Sequence, residues 1–278
     1  MSKPATGLPT GVRALDARIR QARGSQPFEQ VQLTVANTVL AQMLPDCAVK
    51  GGSAMKFRLG DEQARASQDI DVARRGALDQ FVDDLAANLT TGWHGFTGTI
   101  RESRNRSKPE GVPDDYVMRA YDVQMQYQGG VWRKLILEVG HDEIGDTGDT
   151  GAYINPRLIN LFATLGLPEP APVTVLAIHH QVAQKLHACT GDGKLDRAHD
   201  LVDLQLLDRQ RGIDLPASKI AAERLFRARN RQAWPPTVDV QPGWGSAYDE
   251  AAIDMGVVAT VGEAVVWVNE LIGKINNG

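Results

Sequence analysis

Apolar residues recur at helical spacing in two stretches near the start of the chain. Residues 10–23 place Val12, Leu15 and Ile19 on one side, and residues 28–43 do the same with Phe28, Val31, Val35, Val39 and Met43. Pro45 and Asp46 end the second helix. The pattern then turns to short runs. Residues 47–49 read as a buried strand entering the turn Gly51-Gly52-Ser53, residues 54–59 as a short helix, 68–72 as a strand, and 78–89 as a helix. Residues 96–101 predict a strand and 101–115 a polar loop. Residues 116–127 and 131–139 predict two longer strands joined at Gly129-Gly130. The Gly- and Asp-rich residues 140–153 read as a loop. Beyond the proline-rich boundary at 168–172 the period is helical: 175–190, 198–209, 216–232 and 247–275. The pattern is therefore α+β: a mixed-sheet core with flanking helices over residues 1–165, then a helical C-terminal half over 166–278.

Composition narrows the class. The chain has 278 residues, of which 42% are hydrophobic, enough for a sizeable core. A net charge of -4 argues against general nucleic-acid coating but leaves room for local basic patches. The two cysteines, Cys47 and Cys189, suit neither a disulfide framework nor a zinc site, which predicts a reducing, cytoplasmic setting. The start of the chain lacks the apolar stretch of a signal peptide. The longest apolar segment, near the C-terminus, is broken by Glu263, Asn269 and Glu270, so no membrane span is expected.

Chemistry concentrates between Lys50 and Val72. Side chains alternate along a strand, so Asp69 and Asp71 share a face. Two close carboxylates repel unless a cation lies between them, and hard oxygen donors suit Mg²⁺ or Mn²⁺. The upstream Gly51-Gly52-Ser53 offers main-chain N–H groups, a hydroxyl and a helix N-terminus, a combination that binds phosphate. Together these parts describe metal-assisted nucleotidyl or phosphoryl transfer. Taken singly, an Asp-x-Asp is usually a solvated strand edge and a Gly-Gly-Ser usually a turn. Their joint occurrence carries the reading.

Those residues resemble a known family. Lys50-Gly51-Gly52-Ser53-Ala54-Met55, then Arg58, then Arg65-Ala66-Ser67-Gln68-Asp69-Ile70-Asp71-Val72, is similar to the signature of the AbiEii-type nucleotidyltransferases. These are the toxin halves of type IV toxin–antitoxin pairs and include the MenT-type toxins that act on tRNA. Serine stands here for the family's threonine and methionine for its leucine. A second block, Lys185-Leu186-His187-Ala188 followed by Arg197, Asp200, Asp203 and Leu204, resembles the family's helical motif. The likeness spans roughly residues 30–210.

The resemblance implies roles. Asp69 and Asp71 would hold the metal, with a third carboxylate from Glu138 or its rival Asp122. Gly51, Gly52 and Ser53 would cradle the triphosphate of an NTP, with Arg58 and Arg65 as further phosphate contacts. Lys185 would offset charge on the leaving pyrophosphate, and Asp200 would orient it or contact the nucleotide. Ser67, just before the aspartates, is a plausible target of inactivating phosphorylation. The implied partner is a cognate AbiEi-like antitoxin, and the implied acceptor the 3′ end of tRNA.

Three basic clusters offer RNA contacts: Arg74-Arg75; Arg101, Arg104, Arg106 and Lys108; and Arg224, Arg227 and Arg231, read as one helical face beside a base-stacking Trp234. Solvated surface is the competing reading for each. The histidines, His179 and His180 included, show no metal spacing among themselves. A protein or small-molecule hydroxyl as acceptor, or an inactive nucleotide-binding module, are the alternative functions.

Overall fold

The computed structural model describes residues 7–60, 69–103, 117–191 and 197–278. They form two compact units. The first comprises 7–60, 69–103, 117–143 and 150–175. The second comprises 144–149, 176–191 and 197–278. The expected sites at Arg65, Ser67, Arg104, Arg106 and Lys108 lie outside the described residues.

The first unit is built on a seven-stranded sheet of order β3-β4-β5-β2-β1-β7-β6. In chain order the strands are β1 (Cys47–Lys50), β2 (Asp69–Arg74), β3 (Phe96–Glu102), β4 (Arg119–Tyr127), β5 (Gly130–His141), β6 (Thr150–Tyr153) and β7 (Val173–Leu176). The sheet is mixed. β3–β4, β4–β5 and β1–β2 are antiparallel, while β2–β5 and β1–β7 run parallel. Alternation along the strands separates the two faces. Ile70, Val72, Tyr121, Val123, Met125, Leu135, Leu137 and Val139 enter the apolar core. The intervening positions, Asp69, Asp71, Asp122, Gln124, Lys134 and Glu138, stand on the opposite face.

Helices α1 (Val12–Ala22), α2 (Phe28–Ala41), α4 (Leu78–Thr91) and α5 (Pro156–Leu165) supply apolar residues to the same core: Leu15 and Ile19, Val31, Val35 and Val39, Phe81 and Leu85, and Leu158 and Phe162. Full burial of each such side chain contributes about 1.5–3 kcal/mol. α5 went unread in the sequence, although its start is well marked. Asn155 caps it by accepting from the Arg157 N–H, Pro156 opens it, and Gly166 ends it in the left-handed region. Helix α3 (Gly51–Leu59) begins at Gly51 itself, so the expected Gly-Gly-Ser turn is the first turn of that helix.

The second unit packs α6 (Ile178–Cys189), α7 (Ala198–Arg211), α8 (Leu215–Arg229), α9 (Trp244–Ala252) and α10 (Val261–Asn277). Two of its elements differ from the sequence reading. The helix expected over 175–190 starts only at Ile178, because the residues before it form β7. The long helix expected over 247–275 is two. Asp254 takes a positive φ after α9, and Thr260 with Glu263 forms a reciprocal capping box that starts α10 afresh. Among the described residues, no helix is long and apolar enough to cross a membrane.

Candidate active site

Strand pairing explains how the carboxylates meet. β2 and β5 run parallel with Asp71 opposite Glu138 and Asp69 opposite Ile136. Residues opposite each other project to the same face, so Glu138 joins both aspartates. One carboxylate oxygen from each of Asp69, Asp71 and Glu138 lies within 4.8 Å of the other two. Asp122, the rival third carboxylate, is elsewhere on that face. It sits opposite Ile136 on β4, accepts from the Lys134 ammonium at 2.9 Å and pairs with Arg101 at 3.3 Å. The Lys134 hydrogen bond holds its carboxyl below the usual range.

The N-terminus of α3 abuts this cluster. The first N–H groups of a helix have no intrahelical partner and carry the positive end of its dipole, so they are suited to phosphate. Gly51 begins the helix with φ 61°, a region that favours glycine. A Cβ at position 51 would come within 2.2 Å of Asp71 Oδ2, so the absent side chain makes the space the carboxylate uses. Ser53 is buried, and its hydroxyl donates to the main-chain carbonyl of Asp69 at 2.7 Å. That bond ties the helix start to the aspartate strand and gives Ser53 a positioning role beside its expected phosphate contact. Three hard oxygen donors at this spacing fit Mg²⁺ or Mn²⁺.

Two further residues sit close by. Lys50 lies opposite Asp71 on the β1–β2 ladder, and a Cβ added at Gly140 would be 3.0 Å from the Lys50 Nζ. The bare backbone at Gly140 thus leaves room for an ammonium beside the carboxylates. Lys50 was legible only as the first letter of the motif, because pairing partners are invisible in one strand. Arg58 is buried near the end of α3, with its guanidinium carbon 4.9 Å from the Tyr153 ring centroid.

In the second unit, Lys185 is buried at 6% exposure on α6. Its ammonium donates to Asp200 at 3.0 Å and to Asp203 at 2.6 Å, both on α7. Arg197 pairs with the other Asp200 oxygen at 3.4 Å. Of its two expected roles, Asp200 thus has the contact with Lys185 that orienting it requires. Asp203, fully buried, makes the same contact, which the sequence did not single out.

Among the described basic residues, the arginines of the expected helical face do not all share it. Arg101 is exposed at the end of β3, near Thr99, Gln124 and Lys134. Arg224 and Arg227 are exposed on α8, with Arg224 donating to the Ile144 carbonyl. Arg231 does not share their helical face. α8 stops at Arg229, and Asn230 takes the left-handed conformation beyond it. Trp234 is not a free stacking platform either: its ring packs edge-on against Phe226 at 5.3 Å and its indole N–H donates to Asn276.

Comparison with known proteins gives the family and the fold. The profile of the nucleotidyl transferase AbiEii toxin family, from type IV toxin–antitoxin systems, matches residues 35–259. The chain is similar in fold to MenT4, a nucleotidyltransferase toxin from Mycobacterium tuberculosis H37Rv, with a TM-score of 0.56 and 15% identity over 95% of this chain and 98% of that one. JHP933 from Helicobacter pylori matches at a TM-score of 0.47 and 13% identity, covering 92% of each chain. No curated protein sequence matches. The chain belongs to the AbiEii family of nucleotidyltransferase toxins of type IV toxin–antitoxin systems.

Proposed function

We propose that this toxin transfers a nucleoside monophosphate from an NTP to an RNA hydroxyl, with the 3′ acceptor end of tRNA as the favoured target and pyrophosphate as the leaving group. The observation that carries the proposal is the convergence of Asp69, Asp71 and Glu138, with oxygens within 4.8 Å, beside the N-terminus of α3. These three carboxylates would hold Mg²⁺ or Mn²⁺, which when bound supplies Lewis acidity at the reacting phosphate.

The protein's own groups do the rest. The N–H groups of Gly51, Gly52 and Ser53 bind the triphosphate, and Ser53 fixes the aspartate strand against the helix start. Lys50, Arg58 and Arg65 are cations available to the phosphates. Lys185, oriented by Asp200 and Asp203, offsets charge as pyrophosphate departs. Arg101, Arg104, Arg106, Arg224, Arg227 and Arg231 contribute charge toward RNA phosphates. Type IV membership implies an antitoxin partner; phosphorylation of Ser67 is one way such a partner can block the nucleotide.

The test is incubation with each α-labelled NTP plus purified tRNA, or plus total protein, with tRNA products sequenced at their 3′ ends. Label added to tRNA termini and dependent on a divalent cation is the expected result. Label on protein, or on no macromolecule, would overturn the RNA assignment.

A further inference from the structure

The start of α6 gathers a second set of metal-binding donors, of a different chemical type from the three carboxylates. His179 and His180 occupy its first turn. Adjacent helical positions ordinarily face apart by about 100°. Here the two rings lie 4.4 Å apart, and both reach the same Asp149 carboxylate oxygen. The His179 Nε2 is 2.8 Å from it and the His180 Nε2 3.8 Å. One donor atom from each residue falls within 4.8 Å of the others. The sequence could not reveal this, because the third member is far from the histidine pair in the chain.

Asp149 is delivered there by other contacts. The Ala177 N–H donates to the Asp149 carbonyl at 3.0 Å. The short 3-10 turn before it (Asp146–Gly148) is fixed by the Gln184 amide on the Asp146 carboxylate at 2.9 Å, and Arg224 grips Ile144. The convergence is therefore set by the backbone and by neighbouring side chains. An exposed histidine–carboxylate pair is a weak interaction and would not by itself recruit a second imidazole.

We propose that Asp149, His179 and His180 bind a zinc-class divalent cation. In a tetrahedral site with bonds of about 2.0–2.1 Å, donors stand about 3.3–3.4 Å apart. The observed 2.8 and 3.8 Å straddle that value. Two imidazoles and one carboxylate suit Zn²⁺, Co²⁺ or Ni²⁺ and disfavour Mg²⁺. His180 is buried, His179 is 22% exposed and Asp149 58% exposed, leaving a solvent-facing side for a water as fourth ligand. Bound there, the ion clips the 144–149 segment to the start of the helix that carries Lys185. Its role is structural, and it is independent of the nucleotide site's carboxylates.

The probe is Co²⁺, whose visible absorption reports tetrahedral nitrogen and oxygen ligands, followed by Zn²⁺ titration against a chromophoric chelator, on the full chain. Wild type and a D69N/D71N variant should each show the bands, and D69N/D71N, with the nucleotide site's aspartates removed, should bind one equivalent of Zn²⁺. H179Q/H180Q should lose the bands and weaken Zn²⁺ binding by at least about 10²-fold, beyond the range seen for outer-shell partners. Should that variant not fold by circular dichroism, D149N, altered at an exposed position, decides alone. Bands undiminished in H179Q/H180Q or D149N, or absent from wild type, would overturn the proposal.

Discussion

Asp71 and Gly51 fit together only because position 51 has no side chain: a Cβ there would stand 2.2 Å from the Asp71 Oδ2. The glycine is also held at φ 61°, where other residues are strained. Gly51→Ala therefore meets two penalties, a backbone cost of about 1–3 kcal/mol and a displaced carboxylate. We expect a lower urea midpoint and loss of nucleotidyl transfer in the same variant. A Gly51→Ala protein with wild-type transfer would show that Asp71 does not need its present position.

Asp71→Asn separates chemistry from folding. Removing one of three clustered charges relieves repulsion, so the metal-free protein should be as stable as wild type or slightly more so. Transfer should fall by more than about 10²-fold, and the rise in melting temperature on adding Mg²⁺ should shrink. An unchanged Mg²⁺-induced shift would take Asp71 out of the metal site.

Lys185 is tied into a buried ionic group, so its loss has a structural component. Lys185→Met strands Asp200 and Asp203, and the expected destabilisation is about 3–5 kcal/mol. The triple variant K185M/D200N/D203N should recover most of that stability in urea unfolding and none of the transfer activity. Recovery of activity along with stability would reduce Lys185 to a folding element.

How far the site could be read depends on how many strands it spans. Asp69 and Asp71 lie on one strand, so period-two alternation alone places them on a common face. Gly51 and Ser53 were equally legible by type. Glu138 and Lys50 are joined to them by pairing register, which no single segment encodes; the sequence offered Glu138 as the best third carboxylate, with Asp122 as its rival. Arg231 failed for a local reason. The helical period of the arginines continued past residue 229, and an asparagine C-cap is a weak stop signal compared with glycine. The α9–α10 break was missed because apolar residues persist across a junction that only the Thr260–Glu263 pair marks.

The arginines of α8 should divide by function. Arg227→Ala should lower the log–log salt slope of tRNA binding by about 0.7–0.9 with no change in stability. Arg224→Ala also removes the bond to the Ile144 carbonyl, so a loss of about 0.5–1.5 kcal/mol in stability is expected alongside. Affinities measured at several salt concentrations check the first, and urea unfolding the second. An unaltered slope for Arg227→Ala would assign it to solvent.

Both thiols should be silent in the native protein. Burial pushes the Cys47 thiol up to about 12 from 9.0 and raises that of Cys189 as well. Since the folded state favours the protonated form, the associated stability is complete below pH 9.0 and is lost as pH rises toward 12. A thiol-reactive dye at pH 8 should label neither cysteine until denaturant is added. Rapid labelling of the folded chain would contradict this burial.

The parallel pairing of β2 with β5 has a consequence for the cell that makes this toxin. Asp71 and Glu138 are distant in sequence and meet only after the β2–β5 register closes, a non-local step that comes slowly in folding. A nascent or truncated chain ending before Glu138 has the conspicuous Lys-Gly-Gly-Ser and Asp-x-Asp letters yet only two of the three carboxylates. On the proposed mechanism the poison is therefore harmless during its own synthesis, and the time between translation and sheet closure is a grace period in which an antitoxin can reach it.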